Sequence, residues 1–163
     1  MGAMKNIFVC CILSLLFVGC VSVNLPGRKS VPAKGVEFSS PGSPFKSIDA
    51  GNSDKAWLSS STGNTISFVS DCGGADPSLQ QMETESLAAL SNLDVKSDTL
   101  MFNGREARQS VATGTVDGIP VQLSLLVFKK NNCNYTLSYG GVQKQFAAEL
   151  KHFEDFKAQF KAP

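Results

Sequence analysis

The feature that most constrains this chain is a pair of two-residue turn signals, Asn103-Gly104 and Asp117-Gly118, inside TLMFNGREARQSVATGTVDGIPVQLSLLVF. Each dipeptide tolerates the positive φ angles that a tight hairpin demands at its two central positions. Three strands joined by two such turns make an antiparallel meander. In the strand from Ile119 to Phe128, Val121, Leu123, Leu125 and Val127 point one way and Leu126 and Phe128 the other, so parts of both faces are expected to be buried. Pro120 fits only near the start of that strand, because it lacks a ladder donor. After the turn Lys130-Asn131-Asn132, the segment CNYTLSY sets Cys133, Tyr135, Leu137 and Tyr139 on one side of a last strand.

The flanking segments supply an earlier strand and two helices. NTISFVSDC places Ile66, Phe68 and Cys72 on one face of a strand. GGADPSLQQMETESLAALSNL reads as a helix capped by Asp76, with Pro77 in its first turn and Leu79, Met82, Leu87 and Leu90 along one stripe. VQKQFAAELKHFEDFKAQF carries Val142, Phe146, Leu150, Phe153, Phe156 and Phe160 at helical spacing, a stripe expected to face the core. Lys157 falls close to that stripe, so the last turn is expected to fray. Trp57 is expected to pack against the sheet. The fold class is therefore α+β, with one antiparallel sheet of about five to six strands flanked by two main helices.

The N-terminus reads as a targeting segment. Ile7 to Val18 is apolar apart from one serine, and falls short of the about 20 residues a membrane-crossing helix needs. It matches a signal-peptide h-region behind a thin positive n-region at Lys5, and Met4 makes a more natural start than Met1. The stretch Leu16-Phe17-Val18-Gly19-Cys20 resembles the lipobox of bacterial lipoproteins, although Phe17 stands where leucine is usual. That resemblance implies a signal peptide over residues 1–19 and lipidation of Cys20. Because Val21 is not aspartate, it also implies anchoring at the outer membrane of a Gram-negative cell. Each buried methylene contributes about 0.8 kcal/mol, so two or three acyl chains hold firmly.

From residue 20 to 53 the chain is rich in Ser, Gly, Pro and Lys around SSPGSPF and shows no sustained period, which predicts a lipidated flexible tether. Such a segment spans about 30 Å by chain statistics. Val36-Glu37-Phe38 can add a short edge strand. Residues 54–163 are then one globular domain. With Cys20 acylated, Cys72 and Cys133 are the only cysteines left in the mature chain, and in an oxidising compartment they are expected to form a disulfide. Closing a loop of about 60 residues contributes about 4 kcal/mol in the chain-entropy account. Without CxxC spacing, redox or metal chemistry at this pair is the weaker reading.

Charge and motifs exclude more than they assign. The 15 basic and 14 acidic residues lose only Lys5 when residues 1–19 are removed, which leaves a neutral chain without a basic cluster in sequence and no expected nucleic-acid partner. The one histidine, His152, has no nucleophile motif to recruit it and reads as a structural residue. Glu149 and His152 form an E-x-x-H pair with no second histidine to complete a metal site. Asp71 and Asp76 in DCGGAD lack the oxygen-rich spacing of a calcium loop. Arg105, Glu106 and Arg108 read as a solvated hairpin face rather than a recognition patch. No catalytic, cofactor or metal residue is expected, and the chain is not expected to be an enzyme.

AWLSSSTGNTISFVSDC, FNGREARQSVATGTVDG and NCNYTLSYGG leading into the phenylalanine-rich helix together resemble the PsbP-like α/β/α sandwich, shared with Mog-type Ran-binding proteins and some periplasmic lipoproteins. The resemblance implies a non-enzymatic binding or assembly role and transfers no binding residue. The expected function is a membrane-anchored periplasmic or surface lipoprotein acting as a non-catalytic module for a protein partner. The alternative is a small-ligand carrier or enzyme with a cleft between sheet and helix, using Tyr135, Tyr139 or His152.

Overall fold

In the computed structural model, which describes residues 31–49 and 51–163, three strand connections are two-residue turns with positive φ at both central positions. They are Asn103-Gly104 (51° and 73°), Asp117-Gly118 (50° and 79°) and Asn131-Asn132 (51° and 61°). These turns tie four long strands into a meander: β4 (Ser91–Phe102), β5 (Arg105–Val116), β6 (Ile119–Lys130) and β7 (Cys133–Val142). The register follows from the turns, with Phe102 opposite Arg105, Val116 opposite Ile119 and Lys130 opposite Cys133. Before the meander come β1 (Phe45–Ile48), β2 (Lys55–Ser59), β3 (Thr65–Cys72) and a helix, α1 (Leu79–Leu87); a second helix, α2 (Gln143–Gln159), follows it. All pairings are antiparallel, in the order β1-β2-β3-β7-β6-β5-β4.

The seven strands exceed the five to six expected, and most of the expected tether belongs to the fold. Both differences have one cause: strands and anchors built from sparse apolar residues among Ser, Pro and Gly leave no periodic trace. Val31 O accepts from Cys72 N at 2.9 Å, and Ala33 N donates to Ser70 Oγ at 2.8 Å. The Phe38 ring stands edge-on to Trp57, Phe68 and Phe156, and Phe45 at the head of β1 is buried. Glu37 does not seed an edge strand but bridges to Lys161 through two backbone bonds of 3.0 and 2.8 Å. The folded unit thus reaches back at least to Val31, not Asp54. The expected signal peptide and Cys20 lie outside the described residues.

The α1 segment is shorter than its stripe implied. Ser78 is the N-cap, its hydroxyl accepting from Gln81 N at 3.1 Å. Asp76 instead pairs with Lys129. Ser91 to Leu93, read as the helix end, already belongs to β4. That edge strand carries Asp94, Lys96 and Asp98, which obscure its alternation and discourage further pairing at the sheet edge.

The two helices take opposite faces. Against α2 lie Trp57, Ile66, Phe68, Leu126, Phe128, Tyr135, Leu137 and Tyr139 from the sheet, meeting Phe146, Phe153, Phe156 and Phe160. Against α1 lie Ala112, Leu125 and Val127, meeting Met82 and Leu87. The apolar side chains of β6 serve both layers, as their alternation predicts. Val142 departs from the expected stripe, since it ends β7 and is exposed. Lys157 does not loosen the last turn of α2. Its buried ammonium lies 5.0 Å from the Phe153 ring centre, donates to Gln109 Oε1 at 3.1 Å and pairs with Glu154 at 2.8 Å.

Candidate functional site

The residues expected to line a cleft beside α2 are core residues instead. Tyr135 and Tyr139 are both 0% exposed, because the phenylalanines of α2 fill the space above the sheet. The Tyr139 hydroxyl donates to Phe146 O at 2.6 Å and accepts from Asn64 Nδ2 at 2.9 Å. Burial, then the nearby Glu149 charge, push its phenol up to about 12. Glu149 accepts from Ser59 Oγ at 2.7 Å, Thr62 Oγ1 at 2.5 Å and Asn64 Nδ2 at 3.3 Å, tying the β2–β3 turn to α2. Gly141 makes room for this cluster, since a Cβ there would sit 1.9 Å from Asn64 Oδ1. Tyr135 stacks on Phe128 with ring centres 4.7 Å apart, and burial followed by the Asp54 charge pushes its phenol up as well. His152 is half-buried with its ring centre 5.4 Å from that of Phe45. Neither tyrosine can meet a ligand here, so the cleft reading loses both of its phenols.

A second buried carboxylate, Glu83, fastens α1 to the sheet. It accepts from Ser97, from Ser110 and from Arg108 Nε at 2.6 Å. Burial alone pushes this carboxyl up, but the hydroxyls of Ser110 and Ser97 and the Arg108 guanidinium outweigh it and hold the carboxyl below its ordinary value. Arg108 therefore leaves the exposed hairpin face expected for it, while Arg105 and Glu106 remain exposed.

The most distinctive surface is the end of the sheet that carries the disulfide. Cys72 and Cys133 are directly paired across β3 and β7 and are joined there. The entering chain at Val31 meets this end, as do the β6–β7 turn and the last residues: Lys130 Nζ donates to Ala162 O at 2.7 Å and Asn131 Nδ2 to Pro163 O at 2.8 Å. A cavity of about 220 Å³ opens beside the disulfide, lined by Asp76, Arg105, Lys129, Lys130, Asn132 and Asn134 among others. Lys129 is neutralised by Asp76 and also donates to Pro77 O at 3.1 Å. Lys130 is held by a neutral carbonyl, and Arg105 has no hydrogen-bond or ion-pair partner among the described residues. Two cations here thus lack a carboxylate partner.

Sequence reasoning took Lys130-Asn131-Asn132 as a turn alone and did not connect it with Arg105. The connecting signal lies in the hairpin at Asp117-Gly118, whose register carries Arg105 to the level of Lys130 on the neighbouring strand. Asp71 and Asp76 do not converge: Asp76 turns to Lys129, and Asp71 lies against Gly74, where a Cβ would meet its carboxylate. Among the described residues no group of three or more His, Cys, Asp or Glu is arranged to hold a metal ion, and no helix is long and apolar enough to cross a membrane.

The architecture is shared with two solved structures. LpqN, described as involved in cell envelope biogenesis of Mycobacterium tuberculosis, aligns with a TM-score of 0.62 over 84% of this chain and 87% of its own, at 14% identity. Cyanobacterial PsbP (CyanoP) from Synechocystis aligns with a TM-score of 0.55 over 79% of this chain and 87% of its own, at 10% identity. The fold is PsbP-like. At such identities the likeness concerns the fold alone, and the residues of the disulfide-end cavity take no role from either protein. No protein-family model and no curated protein sequence matches the chain.

Proposed function

We propose that the protein is a lipid-anchored module of the bacterial cell envelope that binds a protein partner there and catalyses no reaction. One observation carries this reading. The described chain enters the fold at Val31, bonded to Cys72 at the disulfide end and eleven positions after the lipobox cysteine, Cys20. The domain is then held close to the membrane, disulfide end inward, with the rest of the sandwich facing the compartment. The likeness to LpqN, a protein of cell envelope biogenesis, supports the same setting, and Val21 after the cysteine favours the outer membrane of a Gram-negative cell.

Partner binding rather than catalysis is supported by how the ionisable groups are used. Glu83, Glu149 and Tyr139 are buried in structural bonds, Tyr135 is buried with its ring stacked on Phe128, and the one histidine lies against Phe45. The sheet face on the α1 side is bare over β3 and β7, where Thr65, Ser67, Thr136 and Ser138 form a half-buried polar floor with a cavity of about 310 Å³ at its edge. Affinity capture from cross-linked envelopes tests the reading. The acylated protein should enrich a specific partner that a Cys20→Ala control does not, and equal recoveries would remove the partner-binding role.

A further inference from the structure

We infer that the cavity at the disulfide end is a site for the phosphate of anionic lipid headgroups, so that the domain docks on the membrane that carries its anchor; the choice of lipid over free phosphate rests on the anchor reading above. Four features converge on this end. The described chain enters at this end, where Val31 O accepts from Cys72 N, which puts the side nearest the anchor cysteine in sequence beside the cavity. Arg105 and Lys130 line the cavity without a carboxylate partner, and a guanidinium offers the planar fork that matches a phosphate. Exposed Lys34 follows the entry point. The cavity, about 220 Å³, is smaller than the roughly 300 Å³ at which drug-sized ligand pockets begin, and suits a small headgroup moiety.

The acidic groups of this end do not cancel the cations. Asp76 is committed to Lys129, Glu37 lies 3.9 Å from Lys161 and the Pro163 oxygen accepts from Asn131 Nδ2 at 2.8 Å, while Asp71 sits at the margin beside Gly74. From Cys20 onward the chain would carry no net charge, so any preference for an anionic surface must come from where these cations sit. A lysine or arginine near an anionic bilayer adds about one factor of five in binding, and two together add roughly 30-fold.

Sedimentation with vesicles tests this on the chain from residue 20 carrying Cys20→Ser, which keeps every described element and needs no acyl group to report. Vesicles of phosphatidylglycerol with phosphatidylethanolamine should bind it, less so as salt rises, and vesicles of phosphatidylcholine should not. The variant Arg105→Gln/Lys130→Gln should bind roughly 30-fold more weakly. Lys144→Gln, at the opposite end of the fold, should bind like wild type. Arg105→Gln alone, with an exposed side chain and no bonds to lose, should lose about fivefold and guards against misfolding of the double variant. Equal binding to phosphatidylcholine, or unchanged binding by Arg105→Gln, would overturn the inference. A rise in melting temperature with inorganic phosphate but no vesicle binding would overturn the lipid assignment. Because the assayed chain is not acylated, a failed anchor at Cys20 would show in its mass and localisation and not in this result.

Discussion

The two sides of the sheet are built differently. On the α2 side, long aromatic side chains from β2, β3, β6 and β7 interlock with four phenylalanines and leave no exposed tyrosine. On the α1 side, a helix of 9 residues covers β5 and β6 through Met82 and Leu87, and the floor over β3 and β7 is made of Ser, Thr and Gly around a single Val69. The α2 side therefore holds most of the stability, while the α1 side keeps open surface. A polar pair marks the same division: the hydroxyls of Ser67 and Ser138 meet at 2.7 Å on the bare floor, where an apolar pair would invite aggregation.

The comparison breaks most directly in the core. Phe153 is fully buried, and Phe153→Ala should cost about 4 kcal/mol in denaturant unfolding, against about 2 kcal/mol for Met82→Ala under α1. Equal losses would mean that the two layers contribute alike. Next in size is Glu83→Gln, expected to destabilise by about 1–3 kcal/mol at neutral pH by weakening the bonds from Arg108, Ser97 and Ser110. The folded carboxyl titrates below its ordinary 4.5, so its contribution is complete above that pH and lost as pH falls through the folded value. The gap between variant and wild type should accordingly narrow in acid.

Alkaline titration probes the α2 side by itself. Both tyrosines of the chain, Tyr135 and Tyr139, are buried there with raised phenol values. Tyrosinate absorbance of the folded protein at pH 10 should lie well below that of an unfolded chain, which is half ionised there. The stability conferred by Tyr139 is present below pH 10 and is lost as pH rises toward about 12. Early tyrosinate in the native protein would show an open α2 side. The smallest effect belongs to the bare floor: Ser138→Ala removes one hydroxyl pair and should cost at most about 1 kcal/mol.

The meander was legible because its turn residues are chemically specific and its strands alternate cleanly. Asn103-Gly104 and Asp117-Gly118 announce positive φ, and β6 shows two apolar faces. The phenylalanines of α2 were equally plain. What escaped was structure held by few apolar anchors. Phe38 and Phe45 sit among Ser, Pro and Gly, so the residues that seat the N-terminal segment read as tether. Asp94, Lys96 and Asp98 hid the first half of β4, because an edge strand can carry charge where a central one cannot. At the disulfide end, Arg105 and Lys130 are distant in sequence and meet only through strand register. Burial of Tyr135 and Tyr139 depends on how completely α2 fills the space above them, a property of packing rather than pattern.

The proposed anchor at Cys20 is open to one decisive measurement, intact mass on envelope fractions of a Gram-negative host, with Cys20→Ser beside wild type. Wild type should lose residues 1–19, gain the mass of its acyl chains and fractionate with the outer membrane, while Cys20→Ser should do none of these. A wild-type chain that is uncleaved, or cleaved elsewhere and free of acyl groups, would contradict it.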